Sequence, residues 1–156
     1  MKNLSLLVLM LVPISLFSQV EWGKYTPQKK RFIKKYYTLS KWIERKDKVP
    51  SEVTLSIAAL ESGWDTDTVA VARNNPLGLN IPGSTELISF SCLEDCFRYY
   101  GTLLSSSKRY SLLESTKEGD YKNYCRILQA SGYNSNQGYA DYLISMIEYN
   151  QFHKIP

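Results

Sequence analysis

The chain has 156 residues, a length that suits one domain rather than two. Hydrophobic residues make up 44% of it and charged residues 22%, a balance that excludes an intrinsically disordered protein. Three Cys and one His argue against a multi-ligand zinc site. The formal net charge of +4 is mild, but the charges are unevenly distributed along the sequence.

Residues 1–18 have the pattern of a secretory signal peptide. Lys2 supplies a positive start, residues 4–17 are predominantly apolar, and Ser18 offers a small residue at the cleavage point. An uncleaved membrane anchor is the alternative, but the apolar stretch is shorter than the roughly 20 residues that a span needs. We therefore expect an exported protein, periplasmic or extracellular, with a single mature domain at 19–156.

Residues 24–48 are strongly basic, with ten basic and two acidic residues, a net charge of +8. Residues 49–156 hold eight basic and twelve acidic residues, a net charge of −4. Thr26 as a cap, Pro27 in the first turn and apolar residues at helical spacing predict an amphipathic helix over the basic segment. Its charge is explained either by a solvated helix face or by attraction to an anionic wall polymer or membrane surface. Nucleic acid is a poor candidate for an exported protein.

Four further helices are predicted, which makes the fold class mainly α. Ser51 is the expected N-cap of the first, and Ser91 with Glu94 forms a capping box at the second. Between these two helices, residues 63–89 are rich in Gly, Asn, Pro and Asp and predict a short irregular or β-hairpin lobe, with a β-prone piece at its end. The expected helices lie at about 51–62, 91–104, 120–130 and 138–150.

The cysteines Cys92, Cys96 and Cys125 are an odd set for an exported protein. One disulfide plus one free thiol is the simplest account, and a bridge from Cys92 or Cys96 to Cys125 would join two helices. Three buried thiols that act as small hydrophobic side chains are the alternative. We expect no nucleophilic cysteine, because the only histidine, His153, lies near the C-terminus.

Glu61 stands on or beside the apolar stripe of the predicted helix at 51–62. Ile57 and Leu60 belong to that stripe, and a carboxyl in apolar surroundings loses hydration, so that its pKa rises. A carboxyl that stays protonated near neutral pH can serve as a general acid. Gly63 can end the helix and leave Glu61 beside a loop. The alternative is a boundary glutamate that pairs with an arginine or reaches water.

Polar and aromatic residues that suit sugars follow in the loops. The side chains of Asn74 and Asn75 match the hydroxyl and acetamido groups of an amino sugar. Tyr110 and Tyr133 offer a sugar ring an apolar face and a hydroxyl partner. Ordinary amphipathic packing is the alternative for several of the 12 tyrosines.

Four blocks of the sequence form a recognisable series. They are Ala59-Leu60-Glu61-Ser62-Gly63-Trp64, Asn74-Asn75-Pro76-Leu77-Gly78-Leu79-Asn80, Arg109-Tyr110, and Gly132-Tyr133 followed by Tyr139-Ala140. In this order they resemble the peptidoglycan endo-β-N-acetylglucosaminidases of glycoside hydrolase family seventy-three, the bacterial flagellar-rod and autolysin type. The resemblance extends from about residue 32 to about residue 149.

The resemblance implies a lysozyme-like helical domain in which a short lobe flanks a cleft. Glu61 would donate a proton to the glycosidic oxygen of the N-acetylglucosaminyl-β-1,4-N-acetylmuramyl bond. The partner would be peptidoglycan glycan strands, the protein is expected to be a monomer, and no cofactor or metal is implied. The residues assigned to substrate binding are Trp64, Asn75, Tyr110, Tyr133 and Tyr139.

The sequence departs from the family pattern at three places. Asp65 stands where the family commonly has Gly, and Leu77 and Asn80 replace a Phe and a Lys. The lobe at 81–89 is short, and Glu86 is its only acidic residue. Glu86 is the candidate second carboxylate, which would activate a water or stabilise positive charge on the sugar, or it is a solubility residue of a loop. The inverting and retaining outcomes both stay open.

Two other functions remain open at this point. One is a lytic transglycosylase or muramidase on the same fold with a single essential glutamate. The other is a cell-wall-binding module with impaired catalysis, which the short lobe motivates.

Overall fold

The computed structural model of the protein describes residues 21–156, so the predicted signal peptide at 1–18 lies outside the described residues. The mainly α fold class is confirmed: the described part holds six α-helices and a minimal β-hairpin. No helix between residues 21 and 156 is both long and apolar enough to cross a membrane. The helices are α1 (Pro27–Asp47), α2 (Ser51–Glu61), α3 (Thr68–Ala72), α4 (Leu93–Ser106), α5 (Tyr121–Ala130) and α6 (Tyr139–Tyr149), with 3-10 helices at Trp22–Lys24, Lys108–Ser115 and Phe152–Lys154.

Helix α1 begins as its sequence predicts. The Thr26 hydroxyl oxygen accepts a hydrogen bond from the backbone N–H of Lys29 at 3.3 Å, and Pro27 occupies the first helical position. One face of the helix is buried against α2 and α4, and the remaining faces carry the basic residues. The buried residues are Phe32, Ile33, Tyr36, Ser40 and Ile43.

Helix α2 is the central element, since α1, α5, α6 and the last 3-10 helix all pack against it. Residues 53–59 are buried on every side of the helix, as expected for a helix enclosed by others. The expectation that Ser51 caps this helix is wrong. Ser51 already lies in the first turn, where its N–H and hydroxyl donate to Oε1 of Glu44 at 3.0 and 3.1 Å, tying α2 to α1.

The later helices agree with the predicted positions to within about two residues. Asp120 caps α5, with its Oδ1 accepting from the N–H of Asn123 at 3.1 Å. The capping box at Ser91 is wrong, because the extended residue before α4 is Cys92, which makes no side-chain cap. The helix therefore starts later than that motif requires.

The middle of the chain contains one helix that the sequence did not reveal. Helix α3 is only five residues long, and Asp67 caps it through hydrogen bonds from Val69 and Ala70. The expected hairpin follows: Asn80 and Leu87 form an antiparallel bridge, and the N–H of Ile81 donates to the carbonyl of Glu86 at 2.8 Å. The lobe is thus a small hairpin joined to the helical body.

The expected disulfide is wrong, because all three cysteines are free thiols. Cys96 on α4 and Cys125 on α5 are fully buried in the core, where they act as small hydrophobic side chains. Burial raises the pKa of both thiols to about 12. Cys92 is only half-buried.

Thiol titration tests this correction. In native buffer without reductant, we expect a thiol-specific reagent to modify Cys92 alone, because reaction requires access and a thiolate. In denaturing guanidinium, Cys96 and Cys125 become accessible and all three thiols should be counted. Fewer than three thiols in the denatured, unreduced protein would indicate a disulfide and contradict the structure.

Candidate active site

Glu61 is the last residue of α2, at the point where the helix leaves the core. Its side chain is half-buried, and this burial raises the pKa of the carboxyl above its ordinary value. The Tyr139 hydroxyl lies beside the carboxyl and lowers its pKa, a smaller effect of opposite sign. The net direction is the one that the sequence predicted for this residue.

The chain leaves α2 through three consecutive left-handed residues. Gly63, Trp64 and Asp65 have φ values of 55°, 60° and 70°. Glycine adopts this conformation freely, aspartate does so at modest cost, and a bulky tryptophan does so rarely. Such a turn persists only where the surrounding structure holds it in place.

Trp64 is held in place by packing against α1 and the C-terminal segment. Its ring meets Phe32 at 5.1 Å and Phe152 at 5.8 Å between centroids, and the Lys29 ammonium lies 4.3 Å from its centroid. These contacts give Trp64 a positioning role, and its predicted contact with sugar stays a prediction. The ring joins the end of α2 to α1 and to the C-terminus.

Asp65 is held by hydrogen bonds to α1. Its Oδ1 accepts from the Tyr36 hydroxyl at 2.5 Å, and its Oδ2 pairs with the Lys35 ammonium at 2.7 Å. These contacts explain how an aspartate can occupy a left-handed position at which the family that the sequence resembles commonly has glycine. Both carboxylate oxygens are engaged, so Asp65 is a structural group of the turn.

The loop at 74–80 lies directly on the Glu61 side chain. Gly78 has φ +62°, and a Cβ built on it would lie 2.8 Å from Oε2 and 3.1 Å from Cβ of Glu61. A side chain at position 78 would therefore collide with the carboxyl. Gly78 was not predicted as a site residue, although its place in the second sequence block was the available signal.

Asn75 supports this loop and is not available to a ligand. It is 1% exposed, and its Nδ2 donates to the carbonyls of Leu79 and Ile88 at 2.8 and 2.9 Å. Its Oδ1 accepts from the N–H of Leu79 at 2.9 Å. The assignment of Asn75 to substrate binding is wrong, because all of these polar groups are used to hold the loop against the hairpin.

Arg73 and Asn74 extend the same network. The Arg73 guanidinium donates to the carbonyl of Leu87 at 2.7 Å, and Asn74 Nδ2 donates to that of Phe90 at 3.1 Å. The N–H of Phe90 donates back to the carbonyl of Arg73 at 2.9 Å. The polar residues at 73–75 thus fix the lobe beside Glu61.

A cluster of tyrosines lies beneath and beside Glu61. Tyr139 is 2% exposed, and its hydroxyl has no hydrogen bond of standard geometry among the described residues. The Tyr133 ring packs 6.0 Å from Tyr139, 6.2 Å from Tyr110 and 6.4 Å from Tyr100. Tyr110 is 5% exposed, so of the three tyrosines assigned to substrate only Tyr133 is a partly exposed residue, and burial raises the pKa of its hydroxyl.

Arg109 holds the segment that carries Tyr133. Its guanidinium donates to the carbonyl of Ser131 at 2.7 Å and to that of Gly132, at the C-terminus of α5. A cation is favoured there by the helix dipole and by the unpaired carbonyls. Gly132 has φ +73°, which favours glycine, and a Cβ there would lie 2.7 Å from the guanidinium, so a side chain would displace Arg109 from the clamp.

Glu86 lies on the exposed hairpin, apart from this cluster in its contacts. Its backbone N–H donates to the Ser84 hydroxyl at 3.0 Å, and within residues 21–156 its carboxylate makes no hydrogen bond or ion pair. The structure therefore joins Glu61 with Gly78, Tyr133 and Tyr139, and leaves Glu86 as a free carboxylate on the lobe. Across the described part of the chain, no three His, Cys, Asp or Glu side chains converge as a metal site.

Comparison with known proteins identifies a matching family. The model of the Glucosaminidase family, described as mannosyl-glycoprotein endo-beta-N-acetylglucosaminidase, matches residues 38–152. The matched segment includes α2 with Glu61, the loop with Gly78, and the segment with Tyr133 and Tyr139.

The chain also has a sequence relative. Protein bax of Escherichia coli (strain K12) is 28% identical over 125 residues, which cover 70% of this chain and 46% of that protein. The chain thus spans less than half the length of that relative.

Two crystal structures share the fold. A peptidoglycan hydrolase from Sphingomonas sp. A1 superposes with a TM-score of 0.66 at 19% identity, covering 81% of this chain and 95% of that one. The catalytic domain of the autolysin Auto from Listeria monocytogenes superposes with a TM-score of 0.67 at 18% identity, covering 83% and 88%. The lysozyme-like fold that the sequence implied is confirmed.

The variant Tyr139→Phe tests the electrostatics of the Glu61 carboxyl. The Tyr139 hydroxyl lowers the pKa of Glu61, so its removal should raise that pKa further while burial stays the same. Tyr142→Phe is the matched control, since Tyr142 is an exposed tyrosine on the same helix. NMR titration of labelled glutamate carboxyls measures the pKa of Glu61 in both variants. A pKa of Glu61 that is unchanged or lowered in Tyr139→Phe would contradict the arrangement.

The pair Gly78→Ala and Gly83→Ala isolates the contact of the loop with Glu61. Both glycines have positive φ, +62° and +77°, so both variants carry a backbone penalty of about 1–2 kcal/mol. Nothing lies within 4 Å of a Cβ at Gly83, whereas the Cβ at Gly78 meets Glu61. We expect the larger loss of unfolding free energy in Gly78→Ala, measured by urea denaturation. Equal losses would show that the loop yields without disturbing Glu61.

Proposed function

Because this chain belongs to the glucosaminidase family of glycoside hydrolases, we propose that it cleaves the N-acetylglucosaminyl-β-1,4-N-acetylmuramyl bond of peptidoglycan. The observation that carries the proposal is a half-buried glutamate, Glu61, whose carboxyl has a raised pKa at the end of the central helix. The fold shared with a structure named as a peptidoglycan hydrolase supports the choice of substrate. Glu61 is the general acid of this proposal.

Glu61 suits proton donation because its surroundings favour the neutral carboxyl. Burial under the Gly78 loop and beside Tyr139 removes water from the carboxyl, which penalises the charged form. The carboxyl therefore retains its proton at a higher pH than an exposed glutamate does. When the glycosidic bond breaks, this proton passes to the departing sugar oxygen, and Glu61 becomes a carboxylate.

The positive charge that develops on the sugar needs a second partner. Asp65 is an unsuitable one, because both of its carboxylate oxygens are bound to α1. Two sources remain: the free carboxylate of Glu86 on the lobe, and the acetamido group of the substrate itself. Tyr133, the partly exposed tyrosine of the cluster, is the aromatic residue that we assign to a sugar ring, with Tyr110 and Tyr139 packed against it.

The place of action follows from the substrate in this proposal. Peptidoglycan lies outside the cytoplasmic membrane, and the sequence pattern at 1–18 is that of an export signal. We therefore propose that the protein acts in the periplasm or outside the cell.

Product analysis separates this function from its nearest alternative. Digestion of purified peptidoglycan followed by mass spectrometry should yield new reducing N-acetylglucosamine ends. Anhydro-muramyl ends would identify a lytic transglycosylase, and reducing N-acetylmuramic acid ends would identify a muramidase.

The variant Glu61→Gln tests the general acid. We expect the release of soluble fragments from peptidoglycan to fall at least about 100-fold, since general acid catalysis contributes on the order of 10²–10⁴. Glu118→Gln is the control, an exposed carboxylate in the turn before α5. Glu86→Gln is compared in parallel: a similar loss assigns Glu86 as the second carboxylate, and retained activity favours the acetamido group. Full activity in Glu61→Gln would exclude Glu61 as the acid.

The pH dependence of its stability shows whether the Glu61→Gln variant is folded. Burial raises the folded-state pKa of Glu61, so the native state binds the proton more tightly than the unfolded chain does. The ionised carboxyl therefore costs stability at neutral pH, and this cost disappears as the pH falls below about 4. Glu61→Gln should be at least as stable as wild type at neutral pH, with an advantage that vanishes in acid.

A further inference from the structure

The outward face of α1 carries positive charge at both of its ends. Successive residues of an α-helix turn by about 100°, so residues three and four apart share a face. The buried residues of α1, such as Phe32, Tyr36 and Ile43, define the face that meets α2 and α4. The opposite face carries Lys30, Arg31, Lys34, Lys41 and Arg45, and together with Lys48, the C-cap residue that follows the helix, it is called here the basic face.

Most cations of the basic face are free to meet a ligand. Among the described residues, Lys41 pairs with Glu44 at 2.6 Å, and the other five make no ion pair. Those five side chains are also exposed. The three lysines of α1 outside this face are already engaged: Lys29 with Asn150, Lys35 with Asp65, and Lys46 with Asp47. The unpaired charge of the helix is thus concentrated on one face.

The dimensions of the basic face suit an extended polyanion. The unpaired cations form two groups along the helix, Lys30, Arg31 and Lys34 near its start and Arg45 and Lys48 at its end, and Lys34 and Arg45 are about 16 Å apart along the axis. Within each group the spacing is shorter than the Debye length of about 8 Å at physiological ionic strength, whereas the two groups are about two Debye lengths apart, so only an extended chain of anions meets both. A compact ligand would meet only two or three of them.

The absence of apolar partners on this face argues against a membrane. An interfacial helix inserts large hydrophobic side chains beside its cations. Within residues 21–156, the large hydrophobic side chains that are exposed lie outside α1 altogether. They are Trp22, Val69, Val71, Ile81, Leu112, Tyr142 and Tyr149.

We propose that the basic face binds the carboxylates of peptidoglycan stem peptides, as a holding surface separate from the site of cleavage. This inference rests on the proposed function, which makes the same polymer the substrate. The face points away from α2, which carries Glu61, and residues 49–156 have a net charge of −4. An anionic wall therefore attracts α1 and repels the rest of the domain, which orients the protein and raises its local concentration.

Binding to purified sacculi tests the proposal, with Glu61→Gln as the background so that the polymer is not digested. The test variant is Lys30→Gln/Lys34→Gln/Arg45→Gln. The control, Lys108→Gln/Lys117→Gln/Arg126→Gln, also removes two Lys and one Arg, all exposed and without ion pairs within the described chain. We expect at least about a tenfold loss of affinity at low salt in the test variant, a weaker salt dependence, and a much smaller change in the control.

Chemical modification of the wall identifies the anion. When the sacculus carboxylates are amidated with ethanolamine, binding of the chain with an intact basic face should fall to the level of the test variant. Equal losses in test and control variants would reduce the effect to net charge and overturn the proposal. Unchanged binding to amidated sacculi would also overturn the proposal. So would tighter binding of the protein, through the basic face, to vesicles of anionic lipid than to sacculi.

A separate readout distinguishes this inference from the proposed function. In a chain with Glu61 intact, the test substitutions should leave cleavage of soluble, peptide-free glycan strands unchanged, and slow the digestion of intact sacculi. Equal cleavage of sacculi by test variant and wild type would show that the face does not serve the enzyme. If wild type cleaves neither substrate, the proposed function fails, while the sacculus-binding result is unaffected.

Discussion

The structure depends on one constraint, the left-handed turn at residues 63–65, which follows the C-cap residue Ser62 at the end of α2. Three residues with positive φ occur in succession, and two of them are not glycine. Trp64 and Asp65 are kept in this conformation by packing on Phe32 and by hydrogen bonds to Tyr36. Because α1 holds the turn, the last residue of the central helix has a defined position, and the loop at 74–80 can close over its carboxyl.

The same arrangement costs folding free energy, and the proposed function explains why it is present. A carboxyl under the Gly78 loop is less hydrated than it would be in water, and the Tyr139 hydroxyl beside it finds no standard hydrogen bond within residues 21–156. A core designed only for stability would contain neither feature. A polar network on the lobe side, built by residues 73–75, and the Arg109 clamp on the other side keep these groups in place. A glycosidase requires such a site, since its acid must remain protonated until the bond breaks.

Helices α1 and α2 have different roles in the structure. Helix α2 is buried on nearly all sides and places Glu61 at its end. Helix α1 packs one face against α2 and exposes unpaired cations on the opposite face. The ion pair of Lys35 with Asp65 serves the fold, whereas the basic face, apart from Lys41, makes no ion pair within the described residues. The charge of one helix thus has two separate roles.

The sequence by itself determined the helices, the hairpin lobe, the raised pKa of Glu61 and the family, because these follow from periodicity, turn residues and short blocks of local sequence. Only the tertiary structure decided what the polar and aromatic residues contact. Asn75 and Trp64 looked like ligand-binding residues, yet they hold a loop and a turn. The cysteines looked like a disulfide pair, yet they are buried thiols. Spacing along the chain specifies which face a side chain occupies, but its partners come from distant segments, and these are set by packing.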